Sequence, residues 1–301
     1  MNRRNFLINI AAIFLGAFAL LWFPFTKLQQ LFAAQRIFNT APPLKPLPTS
    51  SQTTIGEAFD GEELTYDIGF WLFDKAAIGH ISLKRKDDGR YIATLQAETL
   101  GVIGWVTRHR KDTYIAYMEE ADNGKRFVTN IFDKTVTIGG RTSRTVTKLD
   151  YKKRFMSWKS WKKDKTIEEK EEEILPDTIY DDPLAAFYNF RFGTYGPIEE
   201  GREYYITTFP KNGEKTMYIK IAAKEEKNRR IHSSPDDVDY LADVIIDKEL
   251  FGSQTGRVEA FFSKEMIPTG GIVKDMIFFG DVRGILVEMK SKLAFKKERG
   301  I

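Results

Sequence analysis

Apolar and polar positions alternate with a period of two over much of the chain. Leu64, Tyr66, Ile68 and Phe70 alternate with Thr65, Asp67 and Gly69, and Tyr91, Ala93, Leu95 and Ala97 repeat the pattern. Similar stretches lie near 113–118, 126–133, 143–149, 154–161, 203–209, 216–223, 240–247, 257–263 and 284–295. Turn signals separate them: Asp87-Asp88-Gly89, Asp122-Asn123-Gly124, Gly139-Gly140 and Lys211-Asn212-Gly213. Many short strands at hairpin spacing predict a mainly β body, a curved antiparallel sheet or partly open β-barrel. One short helix is expected within it. Asp182 suits its N-cap, Pro183 its first turn, and Leu184, Phe187, Tyr188 and Arg191 share a face.

The N-terminus has a different pattern. Phe6 to Phe25 is an uncharged run of twenty residues, interrupted by polar Asn9 and by Pro24. At about 1.5 Å per residue it is long enough to cross a hydrocarbon core of about 30 Å. Arg3 and Arg4 precede it, so the positive-inside rule leaves the N-terminus in the cytoplasm and sends the body across. The expectation is a signal anchor over 1–35, with the membrane as partner through residues 6–25. The body then sits on the periplasmic side of an inner membrane. Two alternatives stay open: cleavage after Phe32-Ala33-Ala34, giving a soluble periplasmic protein, and twin-arginine export through Arg3-Arg4-Asn5-Phe6-Leu7. Residues 36–58, with Pro42, Pro43, Pro46 and Pro48 and a Ser/Thr run, read as a linker to a β domain over 59–301.

Charge and composition narrow the function classes. The chain carries 46 Lys and Arg against 42 Asp and Glu, a net +4. Arg3, Arg4 and Lys27 are the only charges in residues 1–35, so the body holds 43 basic against 42 acidic residues. A nearly neutral body argues against a nucleic-acid partner. The absence of Cys removes disulfides and thiolate chemistry. The three His (His80, His109, His232) fit no zinc spacing, and no nucleotide fingerprint or nucleophile elbow is present. No cofactor and no catalytic residue is expected.

The order of features resembles the bacterial domain of unknown function 3108 family. Gly61-Glu62-Glu63-Leu64-Thr65-Tyr66-Asp67-Ile68, followed by a small-residue turn at Ala76-Ala77-Ile78-Gly79, is similar to its opening. Phe127-Val128-Thr129-Asn130-Ile131-Phe132 falls where its central hairpins do. Leu175-Pro176-Asp177 and then Asp182 to Arg191 resemble its turn and helix. Val258 to Ser263, Ile267-Pro268 and Gly284 to Met289 resemble its ending. The acidic run near 168–173 and the stretch 228–239 depart from the pattern. The resemblance covers about 60–292 and implies an exported β-rich envelope domain; it implies no reaction.

Several constellations carry rival readings. Arg141, Arg144, Lys148, Lys152, Lys153, Arg154, Lys159, Lys162, Lys163 and Lys165 interleave with Trp158 and Trp161. They read either as a surface for anionic head groups or glycan, or as solvated strand faces neutralised by Glu168, Glu169, Glu171, Glu172 and Glu173. Leu100-Gly101-Val102-Ile103-Gly104-Trp105-Val106 reads as a flexible apolar loop at a cavity mouth or dipping into a bilayer, or as a glycine-made sheet corner. Asp236, Asp237, Asp239 and Asp243 read as a polar turn rather than a calcium loop. Asp177, Asp181 and Asp182 read as turn and cap rather than a catalytic pair. Arg191 reads as an anion ligand or as the partner of a nearby acid, and His80 and His109 are placed on strands. The candidate ligand or membrane surface is therefore Val102, Ile103, Trp105, Trp158, Trp161 and Arg191. The leading expectation is non-enzymatic binding of a lipid or other apolar envelope component inside the sheet. An adaptor that binds another envelope protein is the alternative, and a glycan or lipid hydrolase comes third.

Overall fold

The computed structural model describes residues 53–163, 165–209, 216–230, 238–277 and 279–291. The apolar segment 6–25, most of the expected linker, the Lys211-Asn212-Gly213 turn, Asp236 and Asp237 lie outside the described residues. Fourteen antiparallel strands form one sheet among the described residues. They are β1 (Glu63–Phe70), β2 (Phe73–Arg85), β3 (Tyr91–Thr99), β4 (Lys111–Ala121), β5 (Arg126–Ile138), β6 (Arg141–Asp150), β7 (Phe155–Lys162), β8 (Lys165–Glu173), β9 (Glu203–Thr207), β10 (Thr216–Ile221), β11 (Tyr240–Ile245), β12 (Arg257–Phe262), β13 (Pro268–Met276) and β14 (Gly280–Lys290).

The spatial order runs β8 to β1, then β14 back to β9. The first strand is thus central, and two arms of hairpins leave it in opposite directions. The sheet stays open, because its edges, β8 and β9, do not pair with each other. The arms nevertheless curl toward one another. Phe132 of β5 meets Phe209 beyond β9 with ring centroids 6.0 Å apart. Tyr114 of β4 donates its hydroxyl to the Leu250 carbonyl in the loop between β11 and β12. Lys134 Nζ donates to the Glu249 carbonyl at 2.9 Å.

The helices are short: α1 (Ile55–Phe59), α2 (Gly101–Val106), α3 (Pro183–Phe192) and α4 (Lys224–Arg230). The Asp182–Pro183 start of α3 is as the sequence predicts. Asp182 accepts from the backbone N–H groups of Leu184 and Ala185. However, α3 has no apolar stripe: Leu184, Ala185, Ala186, Tyr188, Asn189, Phe190 and Arg191 are all buried. A helix buried on every side sits in a core, and here both arms of the sheet pack on it.

Its polar residues are consequently spent on contacts with the sheet. Strand β6 pairs with β5 only from Ile131 onward, which leaves the start of β5 without that neighbour. Asn189 fills the gap: its Oδ1 accepts from Phe127 N at 2.7 Å and its Nδ2 donates to Phe127 O at 2.9 Å. Arg191 forms a buried bidentate pair with Glu62, at 2.6 and 2.9 Å, and donates Nε to the Met266 carbonyl at 2.9 Å.

Several expectations change. The linker expected to run to residue 58 ends sooner, because Thr54 caps α1 and Ile55, Ala58 and Phe59 belong to the core. Ala76 to Gly79 is not a turn but part of β2; the turn falls at Trp71 and Leu72. The acidic run near 168–173 is the edge strand β8, and β13 was not expected at all.

Removing one partner of the Glu62–Arg191 pair leaves a buried, uncompensated charge. We expect Arg191→Met to lower unfolding stability by about 3–5 kcal/mol, and the double variant Glu62→Met/Arg191→Met to lose clearly less than Arg191→Met alone. Urea unfolding of the four proteins in the cycle measures this. Equal losses for the single and double variants would mean that the pair itself, not the stranded charge, carries the energy.

Candidate functional site

Antiparallel connectivity places alternate turns at the same end of the sheet. One rim carries the turns between β1 and β2, β5 and β6, β7 and β8, and β13 and β14, together with the α2 connection between β3 and β4. The opposite end carries α1, where the described chain begins.

Exposed large apolar side chains gather on the first rim. Leu72 is 95% exposed, Trp105 76%, Trp71 72% and Val102 71%, and Phe73, Val106, Ile138 and Ile277 are exposed beside them. The tip of the first hairpin breaks a local rule. Phe70 pairs with Phe73, so Trp71 and Leu72 form a two-residue turn. Such turns favour Asn or Gly, yet Trp71 sits in the left-handed region at φ 51°. A bulky residue held in strain and in solvent is poorly explained by folding and points to function.

The glycine-rich stretch 100–106 is neither a flexible loop nor a bare corner. It is the helix α2, fixed to the strand ends beneath it. Leu100 N donates to Ala76 O at 2.8 Å, and the Thr99 and Thr107 hydroxyls lie 2.7 Å apart. Gly104 permits the close approach, since a Cβ there would lie 2.9 Å from Thr99 O. Ile103 turns inward and is half-buried, while Val102, Trp105 and Val106 project from the rim. After α2 the chain reverses through Arg108 and His109, both with positive φ. His109 therefore lies in this connection rather than on a strand; His80 is on β2, with Nδ1 3.2 Å from the Thr65 hydroxyl.

The other predicted surface residues do not join this patch. Trp158 is 2% exposed and packs with Leu149, Met156, Ile174 and Tyr180, because it points to the concave face of β7. Arg191 is sealed in its pair with Glu62 and flanked by the rings of Phe59 and Phe187, at 4.6 and 4.9 Å. Neither can meet a membrane or a soluble ligand. Trp161 is half-buried on the outer face under Arg144, 5.8 Å from its ring centroid. The hairpin of β7 and β8 does bring the basic and acidic runs together, with Lys159 and Glu169 paired at 2.8 Å.

Among the described residues, α3 and the inward side chains of the sheet occupy the interior. A cavity of about 110 Å³ opens between β5–β6 and β9–β11, lined by Phe132, Asp181, Pro183, Phe209, Met217 and Leu250. That is well under the roughly 300–1,000 Å³ typical of a ligand pocket. A wider groove of about 590 Å³ lies on the outer face beside α4. Its charges neutralise each other: Arg230 bonds Glu226, Asp243 and Glu259, and Lys274 bonds Glu259 and Asp281. Asp239, from the same expected turn as Asp243, accepts from Lys264 N. Among the described residues no cluster of three or more His, Asp or Glu is placed to hold a metal ion.

Asp181 and Asp182 are both fully buried beneath the seam. Asp181 accepts from Arg126 at 2.7 Å, Tyr195 at 2.5 Å and Asn189 at 3.3 Å. Asp182 accepts from the Thr129 hydroxyl besides capping α3. All four carboxylate oxygens are thus hydrogen-bonded, the two Oδ1 atoms to α3 and the two Oδ2 atoms to β5.

No family model matches the chain, and no curated protein matches it. Among solved structures it is similar to a β-barrel-like protein of domain of unknown function DUF1849 from Brucella abortus. The TM-score is 0.43 with 10% identity, over 78% of this chain and 98% of that one. A likeness that slight transfers nothing to this chain.

Burial pushes the Asp182 carboxyl up from 3.8 to about 6, against the pull of its hydrogen bonds. In the unfolded chain the group ionises near pH 4. Folding is therefore free of the cost of burying this charge below about pH 4 and bears it fully above about pH 6. Asp182→Asn keeps the cap and removes the charge. We expect its stability relative to the native chain to rise by on the order of 2 kcal/mol between pH 4 and pH 7. Urea midpoints across that range measure it, and a flat difference would refute the buried charge.

Proposed function

We propose that this protein is a membrane-tethered envelope domain of non-enzymatic function that seats its apolar rim on a bilayer surface. Leu72, Trp71, Trp105, Val102 and Val106 carry the reading: apolar tips on rigid turns, exposed at one end of a packed body. Aromatic and aliphatic side chains of this kind enter the headgroup and acyl boundary, and fully burying one contributes roughly 1.5–3 kcal/mol. The filled interior moves the lipid contact from inside the sheet to its rim. The apolar run 6–25 supplies the tether, and the body lies on the periplasmic side of the inner membrane.

Length permits the arrangement, although the described chain begins at the end opposite the rim. Strand β2 has 13 residues and stands roughly 40 Å tall. The 27 residues from 26 to 52 can span at most about 90 Å. A connection that long can run the height of the domain. The same placement favours a second reading, in which the rim faces away from its own membrane and meets another envelope protein.

Quenching by brominated lipid distinguishes the two. The full chain is reconstituted in vesicles in a Trp22→Phe background, which silences the tryptophan of the apolar run. We expect lipid brominated near the headgroup to quench the emission that Trp71→Phe and Trp105→Phe remove, and Leu72→Asp/Val102→Asp to restore it. Unquenched rim emission in vesicles would overturn bilayer seating and leave the protein-partner reading.

A further inference from the structure

Beside the apolar sector, the rim carries cations that the fold leaves unneutralised. Arg108, Arg141, Lys162, Lys163 and Lys165 are all exposed. Among the described residues none of their side chains has an ion-pair or hydrogen-bond partner, whereas their neighbours do. Arg110 is paired with Asp112 at 2.8 Å, Arg144 with Asp133 at 2.6 Å, and Lys111 faces Glu98 at 3.8 Å. The local carboxylates are thus already taken; Asp164, outside the described residues, is one acid set among three lysines.

These cations are one surface rather than scattered side chains. Gly139 N donates to Arg108 O at 2.8 Å, which ties the α2 connection to the turn between β5 and β6. Lys163 N donates to Thr142 O at 3.1 Å, which ties that turn to the next hairpin. The Arg108 guanidinium lies over Gly139, where a Cβ would come within 2.5 Å of Nε. At the hairpin tip Lys162 and Lys165 stand directly opposite each other in register. Like charges facing across strands destabilise a hairpin, so the fold bears a repulsion here that a bound anion relieves.

We infer that the rim selects anionic phospholipid, with Arg108, Arg141, Lys162, Lys163 and Lys165 lying on its phosphate headgroups. The inference rests on the bilayer seating proposed above and adds to it a lipid class. The cationic sector lies down on the headgroups. A surface Lys or Arg near an anionic leaflet contributes about fivefold in binding, and the effect is screened within a Debye length of about 8 Å at physiological salt.

The test uses the same full chain, in the Trp22→Phe background, in vesicles of brominated phosphatidylcholine alone or with one-third phosphatidylglycerol. We expect the ratio of seated to unseated rim to rise at least tenfold with phosphatidylglycerol and to fall back in 0.5 M salt. Arg108→Glu/Lys162→Glu/Lys165→Glu should lose that gain and keep the quenching seen in phosphatidylcholine. Equal quenching in both lipids overturns the inference and leaves the seating intact. Absence of quenching in both overturns the seating, and the inference with it.

Discussion

A single buried guanidinium sets the terms for the rest of the molecule. A sheet whose first strand is central has two free arms, and nothing in its hydrogen-bond ladder says where the arms must end. Arg191 supplies that information. From α3 it reaches Glu62 just before β1 and the Met266 carbonyl between β12 and β13, so one side chain joins the helix, the sheet's centre and its second arm. Burying such a pair costs several kcal/mol per ion, which the attraction repays only with near-ideal geometry. The bidentate contact and the three rings around the guanidinium meet that demand. An apolar pair of the same volume would pack as well, but it would tolerate the helix sliding or turning. The ion pair fixes position more than it adds stability.

From that fixed helix the remaining polar contacts follow. Asn189, two residues before Arg191, presents its amide to the one stretch of β5 that lacks its β6 neighbour. Asp181 and Asp182, at the other end of α3, hold Arg126 and Thr129 of β5. Shifting α3 by one residue would strand four buried polar groups at once. This explains how an open sheet can enclose a core without closing into a barrel: the helix, not the strand edges, joins the arms. It also explains the freedom of the edges. Strand β8 turns Glu168, Lys170 and Glu172 onto the face that carries Trp158, and inward-pointing charges on an edge discourage pairing with another chain.

The parts of this fold that were legible in the sequence are those governed by local rules. Period-two alternation marks β1 and β3, glycine turns mark the hairpins at Gly89 and Gly139-Gly140, and Asp182-Pro183 marks the start of α3. The misses have tertiary causes. Ala76 to Gly79 reads as a turn because its residues are small, but a Cβ at Gly79 would lie 3.1 Å from Ile68 Cδ1. Gly270 and Gly271 hide β13 for a similar reason: added Cβ atoms would lie 2.6 Å from Gly284 O and 2.7 Å from Glu259 O. Strand β8 carries charges on both faces and therefore shows no alternation. Of the candidate surface, Val102 and Trp105 belong to the exposed rim, whereas Trp158 and Arg191 are core. Composition cannot separate a tryptophan on the concave face of a strand from one on a rim. The tip Trp71-Leu72 carries no turn residue, so nothing in the sequence after Phe70 marks a hairpin there.

That wrong turn bears most directly on function. Folding alone would put Asn-Gly at a two-residue hairpin, and an apolar pair there is costly twice over, in backbone strain at Trp71 and in exposed area at Leu72. Helix α2 repeats the pattern on the adjacent connection, with its ordered backbone and half-buried Ile103 holding Trp105 outward. Two neighbouring connections that each give up stability to present aromatic and aliphatic tips share a purpose that the core does not supply. The interior is committed to α3, and the proposed contact accordingly uses the rim. The unpaired arginines and lysines beside these tips narrow it further, because a purely apolar partner would leave them without counter-charges and a purely anionic one would leave Leu72 and Trp105 in water. Under the proposed seating, a bilayer surface with anionic headgroups would supply both environments within a few ångströms of depth.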